Sequence, residues 1–301
     1  MQKTARTMRR PLVGRRMAPY LFLLPNMFIF GTFIIWPAIN GFNISFYDSQ
    51  NGRTFEPVGL SNYERILSDE LFSQVATNTV FFVFFFVLLN TSLSIFLAVI
   101  LNAQKTLKSF FRAVVFLPVL LSPVIVGLLW GWLLQRKSGA VNGALLSLFG
   151  VEEGPGWLID PQLSMGVVIF VGVWTNVGFY TLIALAGLQG IDPNVYEAAR
   201  IDGAGIIQVF RNITLPLLAP TILVVIILAM ITGFQAYDYI YSLTGGGPFG
   251  ASTLIIQYIY ESAFQPPIRY GLGSAAGVLL FLTIMTATLI NFLIGRRQGN
   301  V

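Results

Sequence analysis

Seven stretches of this chain run for more than twenty residues without an Asp, Glu, Lys or Arg, and six of them lack a glycine-rich interruption. These six lie between Arg16 and Asp48, Glu70 and Lys105, Arg112 and Arg136, Asp160 and Asp192, Arg211 and Asp238, and Arg269 and Arg296. About 20 apolar residues, rising 1.5 Å each as helix, cross the hydrocarbon of a bilayer, and only helices or closed barrels keep every backbone amide bonded there. Each window therefore reads as a spanning helix. The fold class expected is an all-α membrane protein, with six transmembrane helices in a domain over residues 18–295. It is flanked by a basic N-terminus, 1–17, and a short C-terminus, 296–301. Composition agrees: 55% of residues are hydrophobic and 10% charged, where soluble domains carry about a quarter charged.

A seventh charge-free window, Tyr239–Tyr260, is not taken as a span. Its centre, Thr244-Gly245-Gly246-Gly247-Pro248-Phe249-Gly250, cannot keep its hydrogen bonds internal in lipid. The first window follows Lys3, Arg6, Arg9, Arg10, Arg15 and Arg16, as a signal peptide would, but it is too long and lacks a small-residue cleavage pattern. It is read as a helix that stays.

Lys and Arg placement sets the orientation. With the N-terminus inside, cytoplasmic segments hold thirteen of the 18 basic residues, and the outer segments hold Arg53, Arg65, Arg136, Lys137 and Arg269. Both termini are then cytoplasmic. Outer connections fall at residues 48–71, 135–162 and 239–271, with a short helix at Val141–Phe149 and an amphipathic piece at Leu254–Phe264.

Several chemistries are excluded. The chain has no His and no Cys, which removes imidazole and thiolate ligands, their nucleophilic chemistry and disulfides. No metal site is expected. The 13 carboxylates avoid the centres of the windows, so a proton relay or ion pathway is disfavoured. The net charge of +5 is a topology signal and not a nucleic-acid footprint.

One polar segment, Asp192–Pro216, lies on the cytoplasmic side between two spans. Asp192-Pro193 is a helix start, a capping carboxylate followed by a proline whose missing amide costs nothing. Ala199 and Gly203, four apart, leave one face nearly bare and suited to close docking. Gly203 and Gly205 break the helix, and a second short helix is expected through Ile213 before Leu215-Pro216 opens the next span.

Glu197-Ala198-Ala199, Gly203, Ile213 and Leu215-Pro216, seven fixed positions over twenty residues, resemble in full the EAA signature of permease subunits in binding-protein-dependent ABC importers. Tyr196 and Arg200-Ile201-Asp202-Gly203-Ala204 are similar to the sugar and glycerol-phosphate branch. So are Tyr237-Asp238-Tyr239-Ile240-Tyr241-Ser242-Leu243-Thr244-Gly245-Gly246-Gly247-Pro248, Phe116-Leu117-Pro118 and Ser122-Pro123. The resemblance covers about residues 15–297. It implies the ABC importer permease fold in a bacterial or archaeal inner (cytoplasmic) membrane. It implies as partners a second, non-identical permease, two ATPase subunits and an external solute-binding protein. Tyr196, Glu197, Ala198, Ala199, Asp202, Gly203, Ile213, Leu215 and Pro216 would then form the ATPase-coupling segment. The chain holds no GxxxxGK[ST] loop, so ATP and Mg would be bound by the partner and no cofactor by this chain.

Candidates for the solute pathway are Trp174, Asn176, Tyr180, Gln235, Tyr237 and Asp238. Aromatic faces with amides and hydroxyls suit a neutral polyhydroxylated ligand. The same groups also suit interhelical hydrogen bonds and interfacial aromatic belts. The reading is an ATP-driven importer of a sugar or sugar-like solute. Alternatives are glycerol-3-phosphate or another small polar solute, a self-sufficient channel or secondary transporter, and a membrane-embedded enzyme.

Overall fold

A computed structural model describes residues 18–103, 108–150 and 153–297. The basic segment 1–17, Lys105 and the tail 298–301, which carry much of the charge asymmetry, lie outside the described residues.

The first window forms α1 (Ala18–Phe30) and α2 (Trp36–Ile44), joined by a π-helical turn at Gly31–Ile35. Pro37 accounts for the turn. It has no N–H and its ring crowds the carbonyl four residues back, at Phe33, so the backbone takes in one extra residue there. A two-strand ribbon follows, β1 (Tyr47–Asp48) antiparallel to β2 (Glu56–Pro57), with Tyr47 opposite Pro57. Then come α3 (Ser61–Ser68) and the second span α4 (Glu70–Ala103).

The third window differs from the single helix expected. It is α5 (Lys108–Phe116), a 3-10 turn at Leu117–Leu120, and α6 (Pro123–Leu133), with a 97° bend between the two halves. Leu121 and Ser122 are extended, with ψ of 143° and 131°. Proline disfavours helix at the residue before it, so Pro123 holds Ser122 open. Among the described residues there are thus five continuous apolar helices long enough to span, and a sixth if the bent pair is counted as one span.

Next come α7 (Ala140–Phe149), on the short helix expected, and α8 (Pro161–Gln189), whose first turn is capped by Asp160 accepting from the Gln162 amide at 2.9 Å. The polar segment holds α9 (Pro193–Ile201). The second short helix is not separate. Here α10 (Ile206–Val209), a π turn at Phe210–Thr214 and α11 (Leu215–Phe234) run on as one helix of 29 residues. Pro216 crowds the Asn212 carbonyl as Pro37 does that of Phe33. The seventh window breaks into α12 (Asp238–Thr244) and α13 (Ile255–Phe264), both too short to span, before α14 (Tyr270–Arg297).

Helix α8 is central: 61% of its apolar window is buried, against 0% for the first span. Phe82 and Phe86 of α4, Val168 and Val171 of α8, Val225 and Ala229 of α11, Ile240 of α12 and Ala275 of α14 close the core. In lipid no hydrophobic force drives helices together, so small residues at crossings carry the packing. A Cβ at Gly178 of α8 would strike the Val115 carbonyl, one at Gly187 the Thr221 side chain of α11, and one at Gly127 of α6 the Ser242 side chain of α12.

Gly178→Val forces two backbones apart at a fixed crossing, an overpacking defect of about 1–3 kcal/mol. The expected outcome is a lower thermal midpoint in detergent and reduced folded yield. Gly143→Ala, with nothing within 4 Å of the new Cβ, leaves both unchanged.

Candidate functional site

The two helix interruptions in the membrane-spanning body meet at one cavity. Helix α11 ends at Phe234, and Gln235, Ala236 and Tyr237 form an irregular link, with Tyr237 at φ −147°, before α12 begins at Asp238. Across from this link lies the extended Leu121–Ser122 break. Between them is a cavity of about 310 Å³, lined on one side by Val119, Leu121 and Pro123. The polar wall is Thr175 and Asn176 of α8, Thr232 and Gln235 at the end of α11, and Tyr237, Asp238 and Tyr239, with Phe86 as an apolar floor.

The groups differ in what they offer. The Asn176 amide donates to the Gly172 carbonyl at 2.9 Å and Thr175 donates to Val171 at 2.8 Å, which fixes both side chains on α8. The buried Tyr239 hydroxyl has no hydrogen-bond partner among the described residues. Among the described residues, no Lys or Arg lines the cavity, and Asp238 is its one carboxylate.

Of the pathway candidates, Asn176, Gln235, Tyr237 and Asp238 come together here. Tyr180 and Trp174 do not line this cavity. Tyr180 is 1% exposed, packed into the core between the spans. Trp174 sits edge-on to Trp130 at 5.4 Å, and Trp130 sits edge-on to Phe170 at 5.1 Å, on a different face of α8. Thr232 and Tyr239 were missed. Thr232 was legible only as a hydroxyl three residues before Gln235, and Tyr239 as one tyrosine of an alternating run.

At the opposite end of α11 lies α9. Asp192 caps it, accepting from the Asn194 amide at 2.9 Å. Its C-terminus closes as a Schellman motif: the Ala204 amide donates to the Ala199 carbonyl at 2.9 Å and the Gly203 amide to Arg200 at 3.1 Å. Gly203 has φ +76°, with open space where a Cβ would stand. Its requirement is the left-handed turn and not a bare docking face. Ala199, expected on that face, is buried at 6% exposure and turned toward Val209 and Ile213 at the base of the fifth span. Its small size lets α9 lie close to its own chain.

The remaining coupling candidates divide between the two sides of α9. Tyr196 hydrogen-bonds Thr214 through their hydroxyls at 3.3 Å, tying α9 to the π turn. Ile213 and Leu215 are half-buried in that same helix, and Pro216 is exposed in it. Glu197, Ala198 and Asp202 are exposed, and Glu197 makes no ion pair among the described residues. A groove of about 620 Å³ runs between α9 and the ends of α4 and α8, edged by Tyr196, Glu197 and Arg200. Beside it stand Ile201, Ile206 and Ile207, at 86%, 90% and 80% exposure. This apolar cluster was missed, though three isoleucines within an otherwise polar loop were a usable signal. Neither end carries a catalytic constellation or a group of His, Cys, Asp and Glu able to hold a metal among the described residues.

Residues 90–300 match the family described as "Binding-protein-dependent transport system inner membrane component". The trehalose/maltose transport system permease protein MalF of Thermococcus litoralis is 37% identical, over 92% of this chain and 93% of its own. The sulfoquinovosyl glycerol transport system permease protein SmoG of Agrobacterium fabrum is 32% identical, over 92% and 90%. A chain of a bacterial ABC transporter involved in the import of the acidic polysaccharide alginate superposes with a TM-score of 0.83 at 27% identity, over 94% of this chain and 96% of that one. The chain belongs to the family of binding-protein-dependent transport system inner membrane components, the multi-pass permease subunits of ABC importers.

Proposed function

We propose that this chain passes a neutral sugar through the cavity between the α6 break and the α11–α12 link, driven by separate ATPases acting on α9. The observation that carries this reading is the cavity wall, with amide, hydroxyl and aromatic groups and no cation. Sugars are held by aromatic faces and fixed hydrogen-bonding groups, whereas an anionic solute at this depth would call for Arg or Lys. Asp238 adds repulsion against an anion. Support also comes from a relative named for the neutral sugars trehalose and maltose. The alginate transporter takes an acidic polysaccharide; the cation-free wall here favours a neutral solute instead.

The assembly proposed holds a second permease, two ATPase subunits that bind ATP and Mg, and an external binding protein, in a bacterial or archaeal cytoplasmic membrane. The alginate ABC transporter was seen in complex with an alginate pentasaccharide-bound periplasmic protein. Both termini and α9 face the cytoplasm in this proposal, as the thirteen-to-five distribution of basic residues requires. Exposed Glu197 and the Ile201, Ile206 and Ile207 cluster would enter the ATPase. Tyr196, held to Thr214, would pass the movement into the fifth span and so to Gln235 at its far end.

Three measurements test this. The chain lacks cysteine, so Leu67→Cys and Leu148→Cys are expected to react with an impermeant maleimide from outside, and Asn194→Cys only after permeabilisation. Labelling of Asn194→Cys from outside reverses the orientation. Glu197→Lys is expected to weaken ATPase attachment or uncouple hydrolysis from uptake while membrane insertion persists; normal coupling removes the α9 mechanism. Asn176→Ala and Gln235→Ala, each losing a hydrogen bond of about 1–1.5 kcal/mol, are expected to lower neutral-sugar uptake roughly ten-fold with the ATPase still bound. Unchanged uptake in both places the pathway elsewhere.

A further inference from the structure

Tyr237, at the N-cap of α12, precedes Tyr241 by four residues, and Tyr260 precedes Phe264 by four on α13, where that spacing puts both rings on one helix face. The two pairs face one another. Tyr237 and Tyr241 stack at 5.3 Å and 29°, Tyr237 and Tyr260 lie 5.3 Å apart at 40°, and Tyr260 and Phe264 5.5 Å apart at 37°. Each helix buries other aromatic or aliphatic side chains: Tyr239, Ile240 and Leu243 on α12, and Ile255 and Tyr258 on α13. The four rings are therefore surplus to the packing. Tyr241, Tyr260 and Phe264 keep 44%, 39% and 64% of their surface exposed.

The inner end of this row is Tyr237, which is also part of the cavity wall. Two carboxylates border the rings, Asp238 at the cavity and Glu261 on α13, whose Oε1 accepts from Gln257 at 2.8 Å. Rings offering flat apolar faces, beside oxygens that accept from hydroxyls, are complementary to pyranose units, with C–H on their faces and O–H on their rims. Aromatic side chains at a membrane interface also form belts, but a belt has no reason to converge on one cavity. A protein-docking patch would not need its innermost ring to be a wall of the solute cavity.

We propose that Tyr237, Tyr241, Tyr260 and Phe264 form an entry track on which a sugar stacks before it reaches the cavity. This rests on the sugar reading above and adds where the solute first meets the permease.

The test uses the assembled transporter in nanodiscs with trehalose, maltose and lactose as probes. Sugar binding is measured by saturation-transfer NMR without the binding protein, and uptake in proteoliposomes with it. Tyr241→Ala and Tyr260→Ala are expected to weaken sugar binding and slow uptake about five-fold each, the size of a lost aromatic stacking contact. ATP hydrolysis stimulated by the loaded binding protein should be retained. Tyr260→Phe keeps the ring and is expected to behave as the parent. Unchanged binding and uptake in both alanine variants would overturn the track and leave these rings as a belt. Loss of ATPase stimulation would overturn it in favour of a surface for the binding protein, and loss of the second permease in favour of a subunit interface. A parent complex that imports none of the three sugars refutes the sugar reading itself, whereas parent uptake with unaffected variants refutes the track alone.

Discussion

A backbone amide inside a bilayer has no water to bond and must find its partner within the protein. Much in this chain follows from that single demand. Five of the spans meet it as continuous helices. Pro37 and Pro216 interrupt the pattern of donors, and the chain takes in one residue as a π turn just ahead of each, keeping the helix going. The two places inside the body where the helix stops, Leu121–Ser122 and Gln235–Tyr237, both face the cavity. Irregular backbone at membrane depth is tolerated where it lines a polar space, and here the exceptions coincide with that space.

A second consequence is that packing depends on what is missing from side chains. Gly178, Gly187 and Gly127 bring α8, α11 and α6 against their neighbours, and aromatic bulk fills the layers between, as Phe82 and Phe86 do beside Val171. The result is a rigid centre around α8. Its cavity-facing groups, Thr175 and Asn176, are held by bonds to their own helix. At the other end, α9 lies against the base of the fifth span through buried Ala199 and is held by a cap, a left-handed turn and one hydroxyl pair.

How much of this was legible in the sequence varied with the range of the interaction involved. Window lengths and the glycine-rich interruption at Thr244–Gly250 depend on solvent alone, and they marked the spans and separated α12 from α13. The Asp192 cap is local and was equally readable. The third window has the composition of a span and its prolines mark a kink, but the 97° size of the break at Leu121–Ser122 is not visible in the sequence. Gly203 makes the turn that its position after the helix suggested, while Ala199 is buried against its own chain: spacing cannot tell a face turned to a partner from one turned to the same chain. Tyr180 and Asn176, four apart on α8, looked equivalent, yet one is sealed in the core and the other opens to the cavity.

The π turn at Phe210–Thr214 has a further consequence for the fifth span. One residue of an α-helix corresponds to about 100° of rotation. A helical wheel drawn straight from Ile206 to Gln235 therefore misassigns every face beyond Thr214 by about that angle. The α9 end and the cavity end of this helix are keyed to different azimuths, and Pro216 is the collar between them. Homologous chains that lose this proline would keep the loop and the cavity residues in name while turning one against the other. Aligning such chains residue by residue would hide the change, and only the phase of the helix would reveal it.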